Sequence, residues 1–302
     1  MAAGMGSRYG GLKQLDQLGP AGETIMDYSL FDAVRAGFGK AVFVIRRSFA
    51  PRFTEQVLSK YKNLIETEVV FQEPNELPAP FTAPQGREKP WGTNHAVLVA
   101  EPAVHTPFAV INADDFYGTD AFHAMAQYLQ AIPATEEGHY CMVAYRLQNT
   151  MSRGGSVSRG VCSIDKARNL EQITEHKEIY FGPQDQILSK NAQGEVQELD
   201  PQTPVSMNMW GFTPDFFRHS GELFRQFLAE HGDELKSESY IPSVVDTLIR
   251  RQQASVTVLN STARWFGVTY AQDRDAVQQN LRTLTQEGVY PSPLLSDQST
   301  LI

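Results

Sequence analysis

Cysteine is almost missing from this chain. Of 302 residues only two are cysteines, Cys141 and Cys162, and each sits inside an apolar run. Two thiols are too few for a disulfide framework or a four-ligand zinc site, so a pair of buried, reduced thiols is expected. Long apolar runs are missing too. No stretch reaches about eighteen apolar residues, and no charged segment leads into a short apolar one near the start. This argues against a helical membrane span and a signal peptide; no membrane partner is expected, and the chain reads as cytoplasmic. Positive charge is in deficit, with 26 basic against 35 acidic residues and a net charge of −9. That balance disfavours non-specific nucleic-acid binding, and no nucleic-acid partner is expected. With 41% hydrophobic and 20% charged residues the composition is that of a globular protein long enough for one large α/β domain or two small ones.

What the sequence does have is concentrated at its start, MAAGMGSRYGGLKQ. Gly4, Gly6, Gly10 and Gly11 fall close together, with Arg8 and Lys13 among them. Glycine admits backbone conformations that turn successive N–H groups inward, and such a concave run binds anions. A net-negative protein that handles phosphate must gather its cations locally, which Arg8, Lys13 and Lys89 can do. The competing reading is a flexible terminus. A P-loop requires Ser or Thr after the lysine, and Gln14 stands there. A dinucleotide fingerprint requires Gly at the place of Tyr9.

The pattern that fits is GxG[ST]R followed by a lysine: Gly4-Met5-Gly6-Ser7-Arg8, then Lys13. It resembles the sugar nucleotidyltransferases, the nucleotide-sugar pyrophosphorylases. The resemblance implies that Ala3, Gly4, Gly6 and Ser7 wrap the triphosphate of an NTP and that Arg8 and Lys13 act on it. It also implies a buried central strand directly before the loop. Met1-Ala2-Ala3 is only the end of such a strand, so the chain reads as a single nucleotidyltransferase domain over 1–302 with its first strand truncated, or with another segment in that slot.

Further along, apolar spacing predicts a helix over 24–38, a strand over 40–46, a helix opening at Pro51 and a strand over 66–72. This alternation argues for a mainly parallel sheet. Residues 73–90 hold five prolines and read as an exposed excursion from the sheet edge. Trp91-Gly92-Thr93 then opens a helix. In the family such an order places a base-reading glutamine at the strand end, here Gln72, and a nucleoside-contacting Gly-Thr pair, here Gly92 and Thr93. A carboxamide can pair with a carbonyl and the N3–H of uracil or thymine. Against this, Gln72 could be a solvated strand end and Trp91 a packing residue.

A strand over 107–113 ends in Asp114-Asp115. Carboxylates at the carboxyl end of a strand suit a divalent cation in open α/β sheets. The resemblance puts Asp114 in the place of the Mg²⁺ ligand. The family's second ligand comes from the stretch here written WFGVTY, where Gly267, Val268 and Thr269 stand and Asp273 is the nearest carboxylate. A helix over 121–132 and a strand over 139–145 follow. The segments 157–164 and 170–178 resemble the family's sugar-binding hairpin. There Gly160 would offer a backbone N–H, Glu175 would accept from sugar hydroxyls and Lys177 would face the phosphate. Asn208, in a strand over 204–212, matches the sugar-contacting asparagine. Helices over 222–230 and 241–251, strands over 254–259 and 264–268, and a helix over 272–287 complete the chain.

The fold expected is a three-layer α/β/α Rossmann-like mixed sheet of the nucleotidyltransferase type with an inserted sugar-binding lobe. The implied activity is transfer of a nucleotidyl group from an NTP, with UTP or dTTP favoured, to a sugar 1-phosphate, releasing pyrophosphate, with Mg²⁺ as cofactor. Three rivals stay open: a cytidylyltransferase acting on an alcohol phosphate such as phosphocholine, a GT-A glycosyltransferase, and a catalytically weak nucleotide-sugar binder.

Overall fold

The computed structural model describes residues 1–3, 15–133, 136–191 and 193–295. Gly4, Gly6, Ser7, Arg8 and Lys13 therefore lie outside the described residues. Helix α1, Ile25–Arg35, begins at a capping box. Thr24 N–H donates to Asp27 Oδ2 at 2.6 Å, and Asp27 N–H donates to Thr24 Oγ1 at 3.2 Å. Strands β1 (Lys40–Ile45) and β2 (Glu66–Phe71) pair in parallel. Parallel pairing needs a crossover, supplied by helix α2, made of an α turn Ala50–Phe53, a π stretch Thr54–Leu58 and a last turn Ser59–Tyr61.

The rest follows as α3 (Thr93–Leu98), β3 (Phe108–Val110), β4 (Asp115–Phe116), α4 (Thr119–Ala131), β5 (His139–Arg146), β6 (Val157–Ile164) and β7 (Leu170–Phe181). Then come β8 (Ile187–Lys190), β9 (Val196–Leu199), β10 (Pro204–Phe212), α5 (Asp215–His231), α6 (Ile241–Arg250), β11 (Ser255–Asn260), β12 (Phe266–Gly267) and α7 (Asp273–Gln286). The large mixed sheet runs β11-β5-β10-β6-β7-β8-β9, with β3 on the C-terminal half of β10. β5 is covered on both faces, as an interior strand requires. Its Cys141, Val143 and Tyr145 pack with Phe122, Met125 and Leu129 of α4. Its Tyr140 and Met142 pack with Phe216 of α5 and Ile241 and Val245 of α6. This gives the expected three layers. Both cysteines are buried and free. Burial pushes the Cys162 thiol up to about 12, so it stays protonated.

Three details of the structure bear on the sequence reading. First, β1–β2 does not join the large sheet through a full strand. Among the described residues, only 1–3 lie between them: Ala2 N–H donates to Val44 O at 2.8 Å, the Met1 amine to Ile111 O at 2.8 Å, and Ala113 N–H to Met1 O at 3.0 Å. Second, the hairpin is a continuation of the sheet beyond β10, and it carries β8 and β9, two strands of four residues each that the sequence reading did not include. Third, the proline-rich excursion is irregular but anchored. Trp91 is fully buried and donates through Nε1 to Pro74 O at 2.8 Å. Arg87 is 6% exposed, stacks over the Trp91 ring at 3.2 Å, and donates to the carbonyls of Lys89, Pro90, Glu234 and Ser237. Among the described residues no helix is long and apolar enough to cross a membrane.

Candidate active site

Gln72 directly follows β2 and is 3% exposed, not a solvated strand end. Its Nε2 donates to Gly92 O at 2.9 Å, which joins the two pieces expected to hold a nucleoside. Gly92 has φ +95°, and a Cβ there would lie 2.3 Å from Ser239 O. The backbone of α3 can approach the segment ahead of α6 only because that atom is missing. The two segments are then laced together. Ser239 N–H donates to Trp91 O at 2.8 Å and Asn94 N–H to Ser239 O at 3.0 Å. Thr93 Oγ1 accepts from Ile241 N–H at 3.1 Å, capping a first-turn donor of α6. Ala3 is buried, next to Ala2, which bonds β1. One turn into α3, His95 is stacked on Phe224 at 5.0 Å, and burial pushes it down to about 4, so it is neutral near pH 7.

The acidic pair follows β3. Asp115 opens β4, which pairs with β12 through Gly267. The Asp115 carboxylate accepts from Asn112 Nδ2 at 2.9 Å. Asn112 Oδ1 accepts from Asn208 Nδ2 at 2.9 Å, and Asn208 Oδ1 accepts from Trp210 Nε1 at 3.0 Å. Asn208 sits at φ +63°, where the β10–β5 register is interrupted between Ser206 and Trp210. Asparagine tolerates that left-handed conformation better than most residues. Its carbonyl and one N–H are engaged in this chain, which leaves one amide N–H by donor count. Asp273 has both carboxylate oxygens engaged, one by Ser152 Oγ at 2.7 Å and the other by the N–H groups of Thr269 at 3.1 Å and Tyr270 at 2.8 Å. It clamps the turn into α7. Among the described residues no group of three or more His, Cys, Asp and Glu forms a metal cluster.

A cavity of about 850 Å³ collects most of the remaining candidates. Thr93 and Asp115 line it from one side, Gly160, Glu175 and Lys177 from the hairpin, and Asn208 from β10. Asp115, rather than Asp114, is the member of the acidic pair that lines it. Gly160 faces Glu175 across the β6–β7 ladder, and a Cβ on Gly160 would lie 2.8 Å from Ile173 Cγ2. Loss of hydration raises the Glu175 carboxyl, and the charges of Arg159 and Lys177 oppose that shift.

Sequence reasoning missed two walls of this cavity. Arg159 is 8% exposed. It donates to Thr150 Oγ1 at 3.1 Å, Ser158 O at 2.8 Å and Thr150 O, and lies 5.0 Å from the Trp265 ring centre. Burial lowers its pKa to about 10, with Asp115, Glu175 and Asp273 working the other way. The second wall is α6, which offers Ser243, Asp246, Thr247 and Arg250. A signal for it was present: these polar residues recur at i, i+3, i+4 and i+7, opposite the buried Ile241, Val244, Val245 and Leu248.

A mixed sheet with helices on both faces and a hairpin continuing beyond β10 is an α/β fold consistent with a nucleotidyltransferase-like one. Among solved structures the chain is similar to the crystal structure of apo UDP-glucose pyrophosphorylase, with a TM-score of 0.54 and 15% identity, over 93% of this chain and 96% of that one. No protein-family model and no curated protein matches the sequence.

Proposed function

We propose that the chain transfers a nucleotidyl group from UTP or dTTP to a sugar 1-phosphate, forming an NDP-sugar and releasing pyrophosphate. The observation that carries this reading is the single cavity holding Thr93, next to the Gln72–Gly92 junction, together with Gly160, Glu175, Lys177 and Asn208. The likeness to a UDP-glucose pyrophosphorylase supports the same class of reaction. In this reading Gln72, Gly92 and Thr93 hold the nucleoside, and Ala3, Gly4, Gly6 and Ser7 the triphosphate. Gly160, Glu175 and Asn208 orient the sugar.

The sugar-phosphate oxygen attacks the α-phosphorus and the bond to the pyrophosphate leaving group breaks. The oxygen is itself a sufficient nucleophile, so the protein's work is to align two anions and neutralise charge. Lys177 faces the acceptor phosphate, and Arg8 and Lys13 the triphosphate. Asp114 and Asp115 fit Mg²⁺ by donor chemistry, being hard oxygen ligands; Mg²⁺ commonly uses one or two carboxylates with substrate phosphates completing its shell. Bound there, the ion would screen phosphate charge.

A second reading has one observation behind it. Tyr240 and Trp265 line the cavity with Glu175 and Asp246, a combination that suits a quaternary ammonium such as phosphocholine. Arg159 already lies over the Trp265 ring, which counts against it. A pyrophosphate-release screen of ATP, GTP, CTP, UTP and dTTP against sugar 1-phosphates and phosphocholine tests both. Turnover with UTP or dTTP and a sugar 1-phosphate is expected; turnover only with CTP and phosphocholine selects the second reading, and none at all removes both.

A further inference from the structure

Beside the large cavity lies a second one of about 250 Å³. Arg159, Trp265 and Thr269 line both, and so form the wall where the two meet. The smaller cavity is set with side-chain amides, from Asn149 and Asn280, and with a second guanidinium, that of Arg264. It has one carboxylate, Asp273, whose two oxygens are already taken by Ser152, Thr269 and Tyr270.

The shared wall holds two groups whose bonding is incomplete. Arg159 is a buried cation, and among the described residues no carboxylate forms an ion pair with it. Its three hydrogen bonds go to uncharged oxygens of Thr150 and Ser158, one from each guanidinium nitrogen. A guanidinium carries five N–H donors, so one is left on each of Nη1 and Nη2. A buried charge is costly unless it is paired. Asp115, Glu175 and Asp273 attract this one from a distance, yet burial still lowers its pKa to about 10, so they do not replace the hydration it has lost. Trp265 is 7% exposed, and its buried Nε1–H has no acceptor among the described residues. The indole lies against Gly267, which lines only the smaller cavity: a Cβ there would be 3.3 Å from Trp265 Cζ2, two bonds from Nε1.

Resting on the nucleotidyl-transfer reading above, we infer that Arg159 and Trp265 bind a carboxylate carried by the acceptor, which is then an acidic sugar 1-phosphate of the uronic acid type. A planar carboxylate takes both terminal nitrogens of a guanidinium at once, and it brings the missing countercharge. Its second lone pairs accept from the indole N–H. A water could accept from the indole but would leave the charge unpaired. The carboxylate belongs to the acceptor because Arg159 adjoins Gly160 on β6, and Gly160 faces Glu175 on β7. Lys177 lines only the large cavity, so the phosphate and the carboxylate of one molecule have separate cations. A hydroxymethyl group in place of the carboxylate leaves Arg159 as it is now, and the site discriminates by that difference.

The test compares glucose 1-phosphate with glucuronic acid 1-phosphate, which differ only at C6. Calorimetry measures their binding to the unaltered chain, to Arg159→Gln and to Trp265→Phe; pyrophosphate release with UTP and with dTTP measures turnover. The glucuronate is expected to bind at least ~10-fold more tightly and to show at least ~10-fold higher kcat/KM, the scale of one charge-assisted hydrogen bond. In both variants that preference should fall to within ~3-fold of unity. Trp265→Phe keeps a ring in place and loses only the donor edge, so it carries the test if Arg159→Gln does not fold. An Arg159 that merely holds Thr150 would lower the melting temperature and leave the preference intact, and that result overturns the inference. Equal or weaker binding of the glucuronate by the unaltered chain also overturns it, and turnover of glucose 1-phosphate would then leave the nucleotidyl-transfer reading standing. Preferential binding of the glucuronate that both variants lose, with no pyrophosphate released from any acceptor, removes that reading and keeps the carboxylate site.

Discussion

The side-chain amide of Gln72 donates to the main-chain carbonyl of Gly92 at 2.9 Å, so the end of β2 and the start of α3 are held together by one buried hydrogen bond. Replacing Gln72 by Glu sets an acceptor against that carbonyl and leaves both unpaired. A lost buried partner costs about 1–3 kcal/mol. Gln72→Glu is therefore expected to lower the melting temperature and to reduce kcat/KM for UTP or dTTP further than the stability loss alone accounts for. Activity at a temperature well below both melting points separates the two effects. Equal use of ATP and UTP by the unaltered chain removes the base-reading role.

Gly92→Ala should be worse for the fold than its size suggests. The φ of +95° disfavours any Cβ, and the built atom meets Ser239 O at 2.3 Å. Backbone strain alone costs about 1–3 kcal/mol. A drop of at least ~3 °C in melting temperature is expected; a melt unchanged within error would mean that the 91–94 and 239–241 segments are not laced as described.

The contrast between Gln72 and Arg159 shows how far the sequence carries. Gln72, Gly92 and Thr93 were legible because strand, loop and helix keep their order along the chain, and the fold brings them together. The layers were legible for the same reason: apolar periodicity marks β5, β10 and α4 directly. Arg159 was not singled out in the sequence. Its part in the cavity depends on Thr150 and Trp265, which reach it from remote positions through backbone bends that no local pattern announces. β8 and β9 were missed because each is only four residues long, too short for an apolar period to stand out, although Ile187 of β8 is buried in the core. Asn208 was placed correctly in a strand, but its left-handed backbone and its bonds to Asn112 and Trp210 could be seen only in three dimensions.

The acidic pair calls for two separate variants. Asp115 lines the cavity and is held by Asn112, whereas the sequence reading chose Asp114 as the metal anchor. On the proposed reading Asp114→Asn abolishes Mg²⁺-dependent pyrophosphate release and keeps the fold, since carboxylate and carboxamide have nearly the same shape. Asp115→Asn should cost both turnover and melting temperature, because its partner Asn112 also orients Asn208. Full Mg²⁺-dependent turnover in Asp114→Asn with loss in Asp115→Asn would move the anchor by one residue.

The α6 wall should act on acceptor binding. Arg250 pairs with Asp246 at 2.9 Å, and both line the cavity opposite Glu175 and Lys177. Arg250→Ala is expected to raise KM for the sugar phosphate roughly 5- to 20-fold with kcat nearly unchanged, the signature of uniform binding lost. Initial-rate kinetics at saturating NTP measure it; a fall in kcat at constant KM contradicts the assignment.

Stability should depend on pH through the Met1 amine. Burial lowers it from 8.0 to about 6, against the charges of Asp114 and Asp115. The folded state favours the neutral amine, so between these values the unfolded chain binds more protons and stability rises with pH. The contribution is fully present above pH 8 and is lost as pH falls through 6, by about 3 kcal/mol at most. Asp32 titrates with the opposite sign at lower pH. Burial raises it from 3.8 to about 6, so its contribution is present below pH 4 and is lost as pH rises through 6. Urea melts from pH 5 to 9 should show the upper slope, and acetylation of the Met1 nitrogen should flatten it while leaving the Asp32 region unchanged.

Arg87 gives the proline-rich segment a mechanical role. Its guanidinium spans from Lys89 and Pro90 to Glu234 and Ser237, so together with the Lys89–Glu238 ion pair it ties the loop after β2 to the connection between α5 and α6. On the proposed reading, the nucleoside side of the cleft follows the first of these and the acceptor side the second. Neither wall can shift without loading the other through this tie. Occupancy of one half therefore pre-tensions the other, and the two substrates are expected to bind with synergy, each tightening the other's hold, an effect that disappears when the tie is cut.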